Sequence, residues 1–220
     1  SCLLAATVMG ICFIFTSGAK KHNEHVQEQR VMYELLGFKA GAEIPSSMAL
    51  HEVYRYVVTA GGKQTIAYVV PQGGGKEGSL FVSINLDGTM AAQKELPLSE
   101  AQALDAKARL AAVTAAAEPG ATIIFADQTI VVTKDGKRIA YILGGKFQGF
   151  KTFVNVMLAV DPAFTILGLD VLEHEEDPGL GAEIDQDYFK NQFKGKPFEA
   201  LKNIDVLKAP IPDDYLKALS

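Results

Sequence analysis

Apolar and polar residues alternate through most of the chain's middle. From His51 to Pro71, the run HEVYRYVVTAGGKQTIAYVVP sets β-branched and aromatic residues on both sides of Ala60-Gly61-Gly62-Lys63, which predicts a hairpin. The run GSLFVSINLDGTM repeats the theme, with Asp87-Gly88 at the turn. TIIFADQTIVVTKDGKRIAYILGG reads as a third hairpin about Asp135-Gly136, and FKTFVNVMLAVDPAFTILGLDVLEHE as two more strands about Asp161-Pro162. Three stretches have helical character instead. NEHVQEQRVMYELLGFKAG carries Val26, Arg30, Tyr33 and Leu36 at helical spacing, with Gly37 as its stop. LSEAQALDAKARLAAVTAAA is an alanine-rich helix with Ser99 as its cap and Gln102 three residues on, closed by Glu118-Pro119-Gly120. DQDYFKNQFKGK predicts a short helix on which Phe189 and Phe193, four apart, face the core together. In the last segment, Pro210 and Pro212 argue against a long final helix. The fold class is therefore α+β: antiparallel sheets with flanking helices, not βαβ alternation. A weak echo links Thr59–Val70 to Thr133–Leu143, both of the form T-x-x-G-K followed by I-A-Y. It reads either as a repeat or as two ordinary hairpins of similar composition.

Composition narrows the classes. The chain has 220 residues, 48% of them hydrophobic, enough for one moderate domain with attachments. Its net charge is −5, and without a basic face nucleic acid is an unsuitable partner. Both cysteines, Cys2 and Cys12, fall within the apolar opening stretch SCLLAATVMGICFIFT. The rest of the chain thus has no disulfide framework and no cysteine-based zinc or iron–sulfur site. That opening stretch is uncharged and ends near Lys20-Lys21. A bilayer crossing takes roughly 20 apolar residues. With a further turn ahead of Ser1, the stretch would make a transmembrane anchor. A signal sequence or a buried helix are the alternatives.

The candidate chemistry lies in LEHEEDPGLGAEIDQDYFKNQFKGK, residues 172–196. Acids and a histidine at a strand end run into Pro-Gly-Leu-Gly. An acidic, solvated turn leading into a helix is one reading. The other rests on main-chain chemistry. Pro178 fixes φ, and Gly179 and Gly181 remove Cβ atoms on either side of Leu180. A flat ring can then lie against the backbone, with N–H groups available to carbonyl oxygens on its edge. Phosphate-loop patterns are absent. His174 with Glu173, Glu175, Glu176 and Asp177 lacks the spacing of a calcium loop, so no metal site is expected. Nor does a glycosidase carboxylate pair or a Ser-His-Asp nucleophile stand out, and no residue is assigned a catalytic role.

The stretch GGKFQGFKTFVNVMLAVDPAFTILGLDVLEHEEDPGLGAEIDQDYFKNQFKGK resembles a known family over about 50 residues. It is similar to the FMN-binding domain of the G subunit of Rnf-type ferredoxin:NAD oxidoreductase complexes, and of the related C subunit of sodium-pumping NADH:quinone reductase. Lys146, Gly149 and Phe150 match its K-x-x-G-[FY] strand. His174, Glu176, Pro178, Gly179, Leu180 and Gly181 match H-x-E-T-P-G-L-G, and Phe193, Gly195 and Lys196 match F-x-G-K. Asp177 stands where the family has Thr. The resemblance implies FMN as cofactor, bordered by His174, Glu176, Asp177, Pro178, Gly179, Leu180, Gly181, Lys146, Gly149 and Phe150. It also implies attachment of the flavin to a Thr by a phosphoester bond in an S/T-G-A-T-x-[ST] motif. No such motif occurs in residues 1–220, so a segment after Ser220 is expected to carry it.

The implied organisation is an anchor at 1–19, a linker helix at 20–50, and an FMN-binding domain at 51–220. The implied role is electron transfer within a membrane-bound, ion-translocating oxidoreductase complex, with the Rnf type favoured. Its partners would be the other membrane and redox subunits. It would be single-pass in a bacterial inner (cytoplasmic) membrane, with the domain on the periplasmic side. The competing class is a membrane-anchored, non-redox scaffold or binding module that has lost the flavin.

Overall fold

Residues with a left-handed backbone sit at the predicted reversals. The computed structural model describes residues 28–39, 41–72, 78–179, 181–203 and 217. Gly61 and Gly62 have φ of 55° and 77°, and Asp135 and Gly136 have 52° and 70°. Positive φ at both central residues matches the right-handed twist of two-residue hairpins. Strands β1 (Met48–Ala60) and β2 (Lys63–Pro71) pair across the first of these turns. β5 (Thr122–Lys134) and β6 (Lys137–Gln148) pair across the second. β3 (Ser79–Asn85) and β4 (Met90–Leu96) close about Asp87-Gly88. There the Asp87 carboxylate accepts the Thr89 N–H at 2.9 Å.

The chain divides into two compact units, one of them Pro45–Gly144. Within it the strands run in the order β4-β3-β2-β1-β5-β6, all antiparallel. β1 and β5 pair about Tyr54↔Gln128. The two hairpins flank that pairing with matching turns, Ala60↔Lys63 and Lys134↔Lys137, but a register shift at Val132/Thr133, absent from the first hairpin, sets Ala140 opposite Val132, so the I-A-Y halves of the Thr59 and Thr133 echoes fall out of step.

The expected alanine-rich helix is two. α2 (Glu100–Ala103) has the Ser99 capping box complete: Gln102 N–H donates to Ser99 Oγ at 3.2 Å, and Ser99 N–H to Gln102 Oε1 at 2.9 Å. The chain then breaks at Asp105, which caps α3 (Ala106–Ala116) by accepting the Ala108 N–H at 2.7 Å. An aspartate competes with the helix for its own backbone and so starts a new one. Tyr54, Tyr56, Val58, Ala67, Val69, Phe81 and Val113 make the core of this unit. Burial of side chains the size of Val113 or Val69 contributes roughly 1.5–3 kcal/mol each.

Arg109 of α3 lies inside that core, 6% exposed. Its guanidinium carbon sits 3.6 Å from the centre of the Tyr54 ring. Its Nε–H donates to Tyr56 Oη at 2.8 Å, and Nη1 donates to the Ala103 carbonyl. Burial, then a hydrogen bond to the Glu52 carboxylate, hold the Tyr54 hydroxyl well above the usual tyrosine range.

The other unit comprises residues 1–44 and 145–220. Its helix α1 is described at 28–35 and ends where expected, with Gly37 at φ 90° and Phe38 N–H donating to the Tyr33 carbonyl at 3.0 Å. β7 (Phe153–Val160) and β8 (Ile166–Glu173) pair antiparallel. Between them, Asp161 Oδ1 accepts the N–H groups of Ala163 and Thr165 at 2.9 and 2.8 Å. The side chain of Leu35 fills the place a Cβ on Gly168 of β8 would take, 3.0 Å away.

The helix expected over Asp185–Lys196 shrinks to α4 (Asp187–Lys190), followed by turns. Phe189 and Phe193 still meet edge-to-face at 5.5 Å. From Gly195 the chain runs beside the start of β8: Gly195 N–H donates to the Ile166 carbonyl and Ile166 N–H to that of Lys196. Those bonds draw the segment out of helical geometry. The apolar stretch expected to anchor the chain, and the Pro210/Pro212 segment, lie outside the described residues. Among the described residues, no helix is long and apolar enough to cross a membrane.

Candidate functional site

β8 delivers the chain to the site, and a tight reversal between β6 and β7 faces it. Gly149 N–H donates to the Thr152 carbonyl at 2.7 Å, so only Phe150 and Lys151 lie between. Their two successive N–H groups converge on a single acceptor, Glu176 Oε1, at 2.9 and 3.2 Å. Such consecutive amides form an anion-binding concavity. Here the anion is the protein's own carboxylate, from a residue only 9% exposed.

The glycines explain how it fits. A Cβ on Gly149 would stand 2.3 Å from Glu176 Oε1 and 2.8 Å from the Thr152 carbonyl. A Cβ on Gly181 would stand 2.5 Å from Glu176 Oε2, and the three heavy atoms nearest to it all belong to Glu176. Gly179 differs. Its φ is 73°, a backbone glycine favours, and nothing lies within 4 Å of where its Cβ would be. Pro178 and Gly179 form a turn, beyond which Ala182 N–H returns to the Asp177 carbonyl at 3.1 Å.

His174 supports the same segment. Its Nδ1 accepts the Glu176 N–H at 3.2 Å, which places a neutral ring's proton on Nε2, 4.0 Å from Asp185. Asp177 is answered by Lys151, whose ammonium donates to its carboxylate. That bond holds the exposed Lys151 above its ordinary pKa. A short helix behind adds a second charged contact. Lys190 of α4 reaches Asp170 of β8 at 2.8 Å. Burial draws the Lys190 ammonium down, but the pairing with Asp170 outweighs it, and its pKa is raised.

The structure thus brings His174, Glu176, Asp177, Pro178, Gly181, Gly149 and Phe150 into one tied assembly, with Gly179 at its tip. Lys146 stands exposed on β6 and takes no part in these bonds, and Leu180 lies outside the described residues. Sequence reasoning missed the amides of Phe150 and Lys151 as the partners of Glu176. No local pattern signals them, because the partners are 26 and 25 residues apart. It also missed Phe147 and Phe153, which flank the reversal at 62% and 57% exposure, beside Phe150 at 91%. No group of three or more His, Cys, Asp or Glu among the described residues is placed to hold a metal ion. The exposed Phe150 ring and the open backbone at Gly179 together suit a flat heterocycle with a polar edge.

Comparison with known proteins points to the same stretch. Residues 149–210 match the family described as the FMN-binding domain. The chain is similar to the G subunit of the proton-translocating ferredoxin:NAD(+) oxidoreductase complex of Clostridium ljungdahlii, 35% identical over 68 residues. That match covers 31% of this chain and 37% of the relative. It is also 35% identical over 60 residues to the G subunit of the ion-translocating oxidoreductase complex of Pasteurella multocida, covering 27% of this chain and 30% of that protein. The chain therefore spans well under half the length of either.

Proposed function

We propose, from the premise that residues 149–210 are an FMN-binding domain related to that of Rnf-type G subunits, that this chain carries electrons within a membrane-bound, ion-translocating oxidoreductase complex. FMN is its cofactor, and when bound it supplies the one- and two-electron chemistry. The chain's part is to hold the ring and set its surroundings. One observation carries the reading: the matched residues begin at Gly149, where the reversal tied to Glu176 leaves Phe150 and Gly179 open. Phe150 offers an aromatic face. The main chain at Gly179 and Gly181 offers N–H donors, which favour the more anionic reduced ring. Pairing with Lys151 tempers the charge that Asp177 adds at the position where the family has Thr.

On the same proposal, the flavin is held through a phosphoester to a Thr in a segment not included in residues 1–220. The apolar stretch at 1–19 anchors the domain, residues 20–50 link it, and it stands on the periplasmic side of a bacterial inner membrane. Its partners are the complex's other membrane and redox subunits.

Two measurements test this. Titrating the detergent-solubilised chain with FMN is expected to quench flavin fluorescence saturably. The complete gene product, expressed in a flavinylating host, is expected to show a fluorescent band on a denaturing gel. Neither quenching nor a band would favour a non-redox scaffold that has lost the flavin.

A further inference from the structure

Glu176, Gly149 and Gly181 are matched by the family motif as cofactor-bordering residues, but their geometry points inward. We infer that they form one latch, in which Glu176 is a positioning residue and the two glycines exist to seat its carboxylate rather than to admit the ring. This deepens the reading above and rests on it for its consequence toward FMN.

Three observations converge. First, among the described residues Glu176 is the one buried polar residue of its unit, 9% exposed, and its Oε1 is engaged by two main-chain donors from a single reversal. Second, the space a side chain would need at Gly149 and Gly181 is already taken by the two oxygens of that one carboxylate, at 2.3 and 2.5 Å. Contacts this close are not made by real Cβ atoms, so alanine at either position displaces the carboxylate or the loop carrying it. Third, Gly181 has no left-handed backbone to explain it, whereas Gly179 does. Two glycines of one tetrapeptide thus have different causes: Gly179 makes the turn, and Gly181 makes room for Glu176.

The latch fixes what lies at its ends. It holds Phe150 and Lys151 on one side and Pro178–Gly179 on the other. These carry the exposed ring, the ammonium paired with Asp177 and the open backbone. Setting two separate loops in register before the cofactor arrives removes an ordering cost from binding.

The test is a double-mutant cycle in the full chain, read first without flavin. Gly181→Ala is expected to lower the thermal midpoint by about 5 °C, the scale of a core overpacking defect in a protein this size. In the Glu176→Gly background, the same substitution should cost less than about a third as much, because the atoms it meets are gone. An equal cost in both backgrounds overturns the latch. FMN titration provides the second reading. Glu176→Gln keeps a carbonyl oxygen for the two N–H donors and should bind FMN within about threefold of the parent, while Glu176→Gly weakens it about tenfold or more. The bound flavin's midpoint potential should be unchanged in Glu176→Gln. A changed potential would mean the carboxylate faces the ring and overturns the positioning role. If Glu176→Gly does not fold, Glu176→Gln decides on those two readings. If the parent binds no FMN, the flavin proposal fails by itself, and the thermal cycle still decides whether the latch exists.

Discussion

Among the described residues, two charged side chains are buried, Arg109 in one unit and Glu176 in the other. They solve the same problem in opposite ways. Arg109 is surrounded by apolar and aromatic groups, stacked on Tyr54 and donating to the Tyr56 hydroxyl and to carbonyls between α2 and α3. Its unit already has a packed core, and the guanidinium joins the helices to the sheet within it. Glu176 is enclosed by different means. It is held by backbone amides of a reversal and by the absence of two Cβ atoms. A region ordered by apolar burial tolerates a polar inclusion. A region meant to leave its rings and backbone open has to be ordered by hydrogen bonds instead, because the apolar surface is kept for something else.

The largest effect expected from breaking this comparison is at Arg109. Arg109→Ala leaves the Tyr56 hydroxyl and a helix-end carbonyl without their donor and opens a cavity, so a loss of about 3 kcal/mol is expected in denaturant unfolding. FMN titration should be unchanged, since this residue orders only its own unit. A parallel loss of flavin affinity would refute the separation of roles.

Next comes Gly179→Ala. No atom obstructs the new methyl, so the cost is conformational only, about 1–2 kcal/mol. Unlike Gly181→Ala, it should cost as much in the Glu176→Gly background as in the parent. Dependence on Glu176 in the thermal cycle would erase the distinction between the two glycines.

The smallest effect concerns Asp177→Asn. The pairing raises the Lys151 pKa, so whatever it contributes is fully present below the ordinary lysine value and fades as pH rises through the higher folded one. The Asn variant should therefore lower the Lys151 pKa toward its ordinary value in an NMR titration, since Asp177 is the main cause of the rise. Both side chains are well exposed, so the thermal midpoint at neutral pH should stay where it is. An unmoved Lys151 titration would show that Asp177 is not its partner in solution.

Sequence patterning reveals the hairpins because Gly61-Gly62, Asp87-Gly88 and Asp135-Gly136 carry the turn chemistry in adjacent residues. The break at Asp105 is less visible, since one capping aspartate inside an alanine-rich run competes with strong helix propensity on both sides. Propensity overstates the helix after the glycines: the Phe189/Phe193 spacing is real, but pairing of Gly195 and Lys196 with Ile166 overrides it. At the site, Pro178-Gly179 is legible as a rigid turn from the two residues themselves. The inward direction of Glu176 is not, because its partners are the amides of a distant reversal, and amides carry no letter in a sequence.

The notch at Gly168 has its own consequence. Leu35 of α1 sits in β8 like a key in a slot, and β8 runs on from there to the carboxylate that aligns the two loops. A side chain larger than hydrogen at Gly168 would push that key out. With Leu35 seated, a displacement of α1 is felt by the strand that ends at Glu173, three residues before Glu176.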